Sequence, residues 1–250
     1  MHAAADHVDA RAFAESVAGV LDRCGEDWTR LPALLDDLGW NTLGDGEFLD
    51  CAGLGAIELG RRLAPLSHVD SLLGGGPMAG DLVRSLGPER VALAGAKRLA
   101  VTRSESVTSS GGIEVDRVLG LGEPAGEVSA SALAAWRAAS LGYLAGLGEG
   151  ALDLTVNYVR QRGAFRSTLA ALAPVQQLLA DAATAVQGVK LLAAEGADAD
   201  ALAHAGPAVA GACAACQQVT GAIGFTLEYP LHRYTQRARA MASWNDASLG

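Results

Sequence analysis

The chain has 250 residues, of which 50% are apolar and 19% are charged, and its formal net charge is −9. The apolar fraction excludes an intrinsically disordered chain, and the length suffices for a sizeable core in one domain or two. The acidic balance argues against broad nucleic-acid binding, which needs a basic surface, but it does not exclude a local basic pocket.

The first part of the chain is predicted to be helical. Apolar residues at helical spacing predict three helices, over residues 9–24, 27–38 and 55–64. Asp27 is a plausible cap for the second helix, and Gly39 ends it. Residues 69–86, which contain a Gly74–Gly76 break, are also predicted to be helical. We interpret the triple glycine as a turn, because it has neither the preceding strand nor the spacing of a phosphate-binding loop.

The spacing of apolar residues changes from helical to strand-like at Pro88 and returns to helical near Ser129. Short alternating runs between Ser and Gly clusters predict several strands in residues 88–128. Four long helices then predict a C-terminal bundle, over residues 129–162, 166–195, Asp198 or Asp200 to Gly221, and Pro230–Ser243. The fold class is therefore mainly α, with an N-terminal helical domain (1–87), a short β-rich segment (88–128) and a C-terminal four-helix bundle (129–250).

The cysteines and the longest uncharged run predict neither a metal site nor a membrane span. Cys213 and Cys216 form a CxxC, but they lie in an apparent helix interior without a second CxxC, so we interpret them as buried side chains rather than metal ligands. The N-terminus lacks a basic segment followed by an apolar run, and we expect a cytoplasmic location. The uncharged run Ala201–Leu227 is interpreted as a buried helix, not as a membrane span.

The stretch from Gln217 to Arg239 reads as a helix end, a glycine turn and a second helix. Gly221 and Gly224 suit left-handed backbone angles or the close approach of another group. Three arginines follow on what is predicted to be a basic surface, Arg233, Arg237 and Arg239. The residues alone leave two interpretations open, a site for a phosphate-bearing ligand or an ordinary helix–turn–helix with a solvated basic face. Glu149, on the long helix, is interpreted as a surface charge.

This stretch resembles the C-terminal signature of the acyl-CoA dehydrogenase family, which has a Gln, a glycine turn ending in Phe, a Glu-(His/Tyr)-Pro-Leu segment and a basic helix. A second segment matches the family's Arg-x-x-Phe turn and its flanking helices in the right order, with Ala151, Tyr158, Arg162, Phe165 and Gln176 as matched residues. Together the two motifs cover residues 128–243. The resemblance implies an acyl-CoA dehydrogenase-like fold.

The middle of the chain departs from the family pattern. A member normally has a much larger middle β-domain that covers the flavin ring and shapes the acyl-CoA site. The segment 88–128 is too short to contain that domain. The resemblance therefore implies a chain with a truncated middle domain, which cannot cover a flavin by itself.

Both positions of the family's catalytic glutamate are changed. In the family this glutamate removes the proton alpha to the thioester while the flavin takes a hydride from the beta carbon. Asn245 stands at the usual position, and Trp136, just before Arg137, stands at the rarer one. Neither side chain can act as the base. Asp246 is one residue out of place and is a weak candidate; its other interpretation is a solvated residue near the chain end.

The resemblance implies that the residues for the adenine and pyrophosphate end of FAD are retained. In the family, these residues contact the cofactor of the neighbouring subunit across a dimer interface. The residues carried over are Arg162, Phe165, Gln218, Gly221 and Ala222. An arginine suits a diphosphate because its planar fork donates paired, charged hydrogen bonds. From the residues alone, Arg162 would be a cation at a helix C-terminus.

These residues predict a subunit of a heteromeric, FAD-dependent acyl-CoA dehydrogenase, an oxidoreductase acting on CH–CH bonds. A full-length homologue would supply the base, in a heterotetramer with a shared FAD. The substrate class that the resemblance suggests is a bulky, steroid-type acyl-CoA thioester of lipid catabolism. One alternative is a flavin-free scaffold, regulatory protein or non-redox enzyme on the same fold. Another is a homomeric dehydrogenase that uses Asp246.

Overall fold

Helices flank a small β-barrel in the computed structural model of the chain. The structure describes residues 3–45, 48–84, 86, 89–107, 113, 115–164, 166–195 and 198–248, and the side chains of residues 3–9, 45 and 245–248 are outside this description. The predicted mainly α fold, with a β-rich middle and C-terminal helices, is confirmed.

The described residues of the N-terminal part form four α-helices, α1 (Ala3–Cys24), α2 (Leu31–Asp37), α3 (Leu49–Arg61) and α4 (Ser67–Asp70). Asp27 caps the 3₁₀ turn that precedes α2, and its carboxylate accepts a hydrogen bond from the backbone N–H of Thr29 at 3.1 Å. Helix α3 begins at Leu49, six residues before the predicted start at residue 55. Its buried face packs against α1 on one side and the bundle on the other.

Five strands of the described chain form a closed barrel, β1 (Gly76–Ala79), β2 (Leu82–Arg84), β3 (Val91–Ala94), β4 (Lys97–Val107) and β5 (Val115–Glu127). Their order is β1-β2-β5-β4-β3, with β1 and β3 parallel and the other neighbours antiparallel. The helix predicted over residues 69–86 is therefore wrong after the glycine break, where β1 and β2 lie, whereas residues 69–73 belong to α4 and to a 3₁₀ turn (Ser71–Leu73). Gly74 has a φ of +61° and ends the helical turns. The short strands β1 and β2 that follow pair with each other as a hairpin and also pair with β3 and β5.

Four long helices form the C-terminal part as the structure describes it, α5 (Ala130–Gln161), α6 (Ala173–Glu195), α7 (Ala199–Thr220) and α8 (Leu231–Ser248). Ser129 caps α5, and Asp198 rather than Asp200 caps α7. Helix α6 begins seven residues later than predicted, because a hairpin of β6 (Gly163–Ala164) and β7 (Ser167–Thr168) and a 3₁₀ turn precede it.

Helix α7 is the one candidate for a membrane span among the described residues. Residues 199–225 are long and apolar enough by length and composition, but one such helix is weak evidence, because core helices of globular proteins pass the same test. Helix α7 packs against α5, α6 and α8. Cys213 and Cys216 on it are fully buried.

Glycines bring α3 and α5 into backbone contact. A Cβ atom on Gly142 would overlap the carbonyl oxygen of Gly53, and one on Gly146 would overlap that of Ile57. On the outer face of α6, by contrast, a Cβ atom on Gly188 would meet nothing within 4 Å. The α3–α5 contact therefore has no room for even a methyl group.

We expect Gly142→Ala to lower the free energy of unfolding by about 1–3 kcal/mol, because the added methyl group forces the two helices apart. The matched control is Gly188→Ala, which should stabilise by about 0.5–1 kcal/mol because alanine loses less backbone entropy in a helix. Urea denaturation followed by circular dichroism measures both. Equal effects of the two substitutions would contradict the close packing.

Candidate functional site

Trp136, the side chain at the rarer of the two predicted base positions, is buried and donates a hydrogen bond. Trp136, on α5, is 3% exposed, and its Nε1 donates a hydrogen bond to Oδ1 of Asp70 at 3.0 Å. Asp70 ends α4, on the N-terminal side of the barrel. The hydrogen bond between Trp136 and Asp70 therefore connects the bundle to the N-terminal helices.

Asp70 is also paired with Arg84, which ends strand β2. Nε and Nη2 of Arg84 donate to the two carboxylate oxygens at 2.9 and 2.7 Å, and both side chains are 1% exposed. The sequence analysis missed both residues. The available signal was a single carboxylate in the mostly apolar stretch 63–73, since a charge in such a run is seldom buried without a partner.

Trp244, which directly precedes the other predicted base position at Asn245, also lies close to Arg84. The guanidinium carbon of Arg84 lies 5.9 Å from the ring centroid of Trp136 and 5.9 Å from that of Trp244, within range of cation–π attraction. Asn245 and Asp246 follow Trp244 in the last turns of α8, and their side chains lie outside the described residues. We call Asp70, Arg84, Trp136 and Trp244 the buried clasp.

A second buried group lies beside the clasp. The hydroxyl of Tyr143 donates to the carbonyl oxygen of Ala64 at 2.5 Å, and Nη1 of Arg237 donates to the Tyr143 oxygen at 2.6 Å. Burial raises the pKa of Tyr143, and the positive charges of Arg237 and Arg84 oppose this shift. The prediction that Arg237 lies on a basic surface is therefore wrong, because α8 turns it into the core, although Arg233 and Arg239 are exposed.

Glu149 is not a surface charge either. Its carboxylate contacts Arg61 Nη2 at 2.6 Å and Lys190 Nζ at 2.7 Å, and its side chain is 16% exposed. It joins α3, α5 and α6, and two cations satisfy it. We therefore assign it a structural role.

A cavity of about 200 Å³ lies between the barrel and the first turns of α5. Trp136 forms part of its wall, and Arg137 is its charged lining residue. Nε of Arg137 is buried and has no hydrogen-bond partner among the residues that the structure describes. The remaining wall consists of Leu73, Pro77, Leu93, Gly95, Ala96, Val128 and Leu133.

The residues predicted to contact FAD lie at the other end of α5. Arg162 is the exposed C-cap of that helix. The rings of Tyr158, on its last turn, and Tyr229, just before α8, are 5.9 Å apart. Tyr229 also donates to the carbonyl oxygen of Leu154 at 2.9 Å. These contacts bring the end of α5 beside the segment that joins α7 to α8.

Other residues predicted to contact FAD lie at the end of α7 and in the segment that joins it to α8. Gln218 and Ala222 are exposed, and a Cβ atom on Gly221, whose φ is +67°, would meet no atom within 4 Å. Phe165 lies outside the described residues. Nε2 of the neighbouring Gln217 donates instead to the carbonyl oxygen of Gly224 at 3.1 Å and holds the turn in place. Three apolar side chains on the turn are exposed, Ile223, Phe225 and Leu227.

The cysteines are buried thiols. Burial raises the pKa of Cys213 and of Cys216 and disfavours their thiolate forms. Within the described part of the chain, no three His, Cys, Asp or Glu side chains group in a way that could hold a metal ion.

The C-terminal half matches a known protein family. Residues 126–245 match the model described as "Acyl-CoA dehydrogenase, C-terminal domain". No curated protein sequence shows significant similarity to the chain.

Solved structures resemble nearly the whole chain. A variant of the Tcur3481–Tcur3483 steroid ACAD aligns over 95% of this chain and 95% of that chain, with a TM-score of 0.67 and 16% identity. The ChsE4–ChsE5 complex from Mycobacterium tuberculosis aligns over 96% and 94%, with a TM-score of 0.68 and 14% identity. Glutaryl-coenzyme A dehydrogenase, in a glutaryl-CoA complex, aligns over 95% and 93%, with a TM-score of 0.69 and 14% identity. At these identities the likeness shows the fold.

We expect Asp70→Asn to lower the free energy of unfolding by about 3–5 kcal/mol, because it leaves the charge of Arg84 buried without a counter-charge. The matched control is Asp81→Asn in the same barrel. Asp81 lies 3.2 Å from Arg117, and the two side chains are 66% and 45% exposed, so this loss should cost at most about 1 kcal/mol. Chemical denaturation at pH 7 compares the variants. A similar cost for both would contradict a structural role of the clasp.

His68 predicts a pH dependence of stability. Burial lowers the pKa of His68 to about 4, below the value of about 6.5 in an unfolded chain. The unfolded state therefore binds the proton more readily, and stability that is complete above pH 6.5 falls by about 3 kcal/mol as the pH decreases to 4. Denaturation at several pH values should show a smaller loss in His68→Gln. In His204→Gln, which removes an exposed histidine, the loss should equal that of the unchanged protein.

Proposed function

We propose that this chain, which belongs to the acyl-CoA dehydrogenase family, is the non-catalytic subunit of a heteromeric, FAD-dependent acyl-CoA dehydrogenase. A full-length homologue supplies the base and the acyl-CoA pocket. This chain supplies side chains and backbone for the adenine and diphosphate end of the partner's FAD. In this family the hydride from the beta carbon of the acyl group passes to FAD.

The buried clasp is the observation that carries the proposal. A base for this reaction must reach a proton on the bound thioester through a free carboxylate. Trp136 stands at one base position and is held inward by Asp70. The carboxylate of Asp70 is itself occupied by three donated hydrogen bonds, two from Arg84 and one from Trp136. It therefore serves packing rather than proton transfer.

The far end of α5 supports a role in binding the partner's cofactor. Arg162 is exposed at a helix end and has no ion-pair partner among the described side chains, so its planar fork is available to a diphosphate. Gly221 leaves its backbone open to close approach, which suits contact with a nucleotide. The residues present thus fit the adenine and diphosphate end of FAD.

The same end also suits contact with another subunit. Ile223, Phe225 and Leu227 are 40%, 62% and 79% exposed on one turn. Neighbouring exposed apolar side chains commonly mark an interaction surface. We infer that this turn packs against the partner subunit where the partner holds its FAD.

The flavin ring itself belongs in the partner. The cavity between the barrel and α5, at about 200 Å³, is smaller than the roughly 300–1,000 Å³ of pockets for drug-sized ligands. It cannot enclose a flavin ring together with an acyl group.

The substrate class follows from the resemblance and from two of the similar structures. One is described as a steroid ACAD and the other as a complex of two named chains. We infer a bulky, steroid-type acyl-CoA as substrate and a cytoplasmic heterotetramer with two copies of each subunit.

The visible absorption spectrum tests the proposal. The chain is purified alone and after co-expression with a full-length homologue, and both samples are assayed with an acyl-CoA and an artificial electron acceptor. We expect flavin absorbance and dehydrogenation in the co-purified complex alone. Activity of the isolated chain would contradict the division of labour. The absence of flavin from both samples would favour the flavin-free alternative.

We expect Arg162→Ala to weaken FAD retention by the complex about tenfold or more, because it removes charged hydrogen bonds to the diphosphate. The matched control is Arg160→Ala, which removes an exposed arginine from the same helix end. Flavin content after gel filtration and the FAD dissociation constant measure the effect. Equal retention by both variants would remove Arg162 from the cofactor site.

A further inference from the structure

The cavity between the barrel and α5 is lined by apolar residues and one cation. Leu73, Leu93, Val128 and Leu133 contribute aliphatic walls, and Trp136 contributes an aromatic one. No carboxylate is present among the described residues that line it. This composition, an apolar body with one placed polar group, is typical of a small-molecule site.

Arg137 is the cation in the cavity wall, and part of its guanidinium group is unsatisfied. Its Nε is buried and has no hydrogen-bond acceptor among the described residues. A buried donor without an acceptor is costly, and native structures usually satisfy such groups. Arg137 also lines the cavity, so an anion there would pair with the guanidinium group, and a carboxylate would do so best because its two oxygens match the guanidinium fork.

The volume sets the size of the ligand. A dry apolar cavity of about 150 Å³ accommodates benzene, and this cavity measures about 200 Å³. The space therefore fits a benzene-sized body with one carboxylate group. Trp136 lines the cavity and also contacts the ion pair of Asp70 and Arg84.

We propose that this cavity binds a small monocarboxylate, with its apolar body against Leu93, Leu133 and Trp136 and its carboxylate on Arg137. The site lies within one chain, so it does not depend on the proposed partner subunit. Nor does it require FAD.

Isothermal titration calorimetry of the purified full-length chain tests the site with benzoate and hexanoate. Benzyl alcohol and benzylamine are the matched probes, since they keep the ring and change the charge of the head group. We expect both carboxylates to bind, benzyl alcohol to bind at least about tenfold more weakly because it forms no charge-assisted hydrogen bond, and benzylamine not to bind. Equal binding of benzoate and benzyl alcohol would overturn the role of Arg137.

Variants assign the binding to the cavity. Arg137→Gln should weaken benzoate binding about tenfold or more, and Arg103→Gln, which removes an exposed arginine of β4, should not change it. Leu133→Trp should abolish binding by filling the cavity while it keeps Arg137. It also serves as the test if Arg137→Gln does not fold, which circular dichroism would reveal. Failure of the unchanged protein to bind either carboxylate at millimolar concentration, or undiminished binding by Leu133→Trp, would refute the site.

Discussion

The ion pair between Asp70 and Arg84 holds the three parts of the chain in their arrangement. Two charges at 1% exposure are stable only if good hydrogen-bond geometry and further contacts offset their desolvation. Asp70 comes from the N-terminal helices and Arg84 from the barrel, while the indole of Trp136 completes the shell from the bundle. A shift of any one part would leave a buried charge without its partner. The clasp therefore fixes how the barrel sits against the helices.

The clasp also draws on the two segments that the resemblance assigns to the family's base. These segments contribute the rings of Trp136 and Trp244, which lie close to the buried guanidinium group of Arg84. Nη1 of Arg84 has no hydrogen-bond acceptor among the described residues, so attraction to the two rings helps to offset the burial of its charge. The neighbouring hydrogen bonds of Tyr143 and Arg237 extend this core.

Helix α5 separates the two functional regions. Trp136 lies near its beginning and Arg162 caps its end, so the clasp and the proposed cofactor contacts are about 40 Å apart along the helix axis. Close packing against α3 through Gly142 and Gly146 keeps this long helix in place between them. The two regions share no side chains, so the proposed loss of the base and the proposed cofactor contacts do not depend on each other. The proposed division of labour between two subunits needs this independence.

Local sequence signals were enough to predict the long helices and most of their ends, because apolar spacing, capping side chains and glycines act within a few residues. Ser129 and Asp198 cap α5 and α7, and the turn at Gly221 was visible in the same way. The matched motifs also indicated the family. By contrast, the burial of charged side chains and the contacts between residues distant in sequence depend on tertiary packing.

The strands β1 and β2 were predicted as helix because strands of four and three residues are too short for a clear alternation, and their pairing with β3 and β5 exists only in the folded chain.

The buried charges show the same limit of local patterns. Arg237 and Glu149 were predicted on the surface, since nothing in their own helices reveals the carbonyl of Ala64 or the cations Arg61 and Lys190. The pairing of Asp70 with Arg84, and the cavity beside Arg137, likewise arise where the barrel packs on the bundle. Such contacts join distant parts of the chain, and helical or strand periodicity carries no information about them.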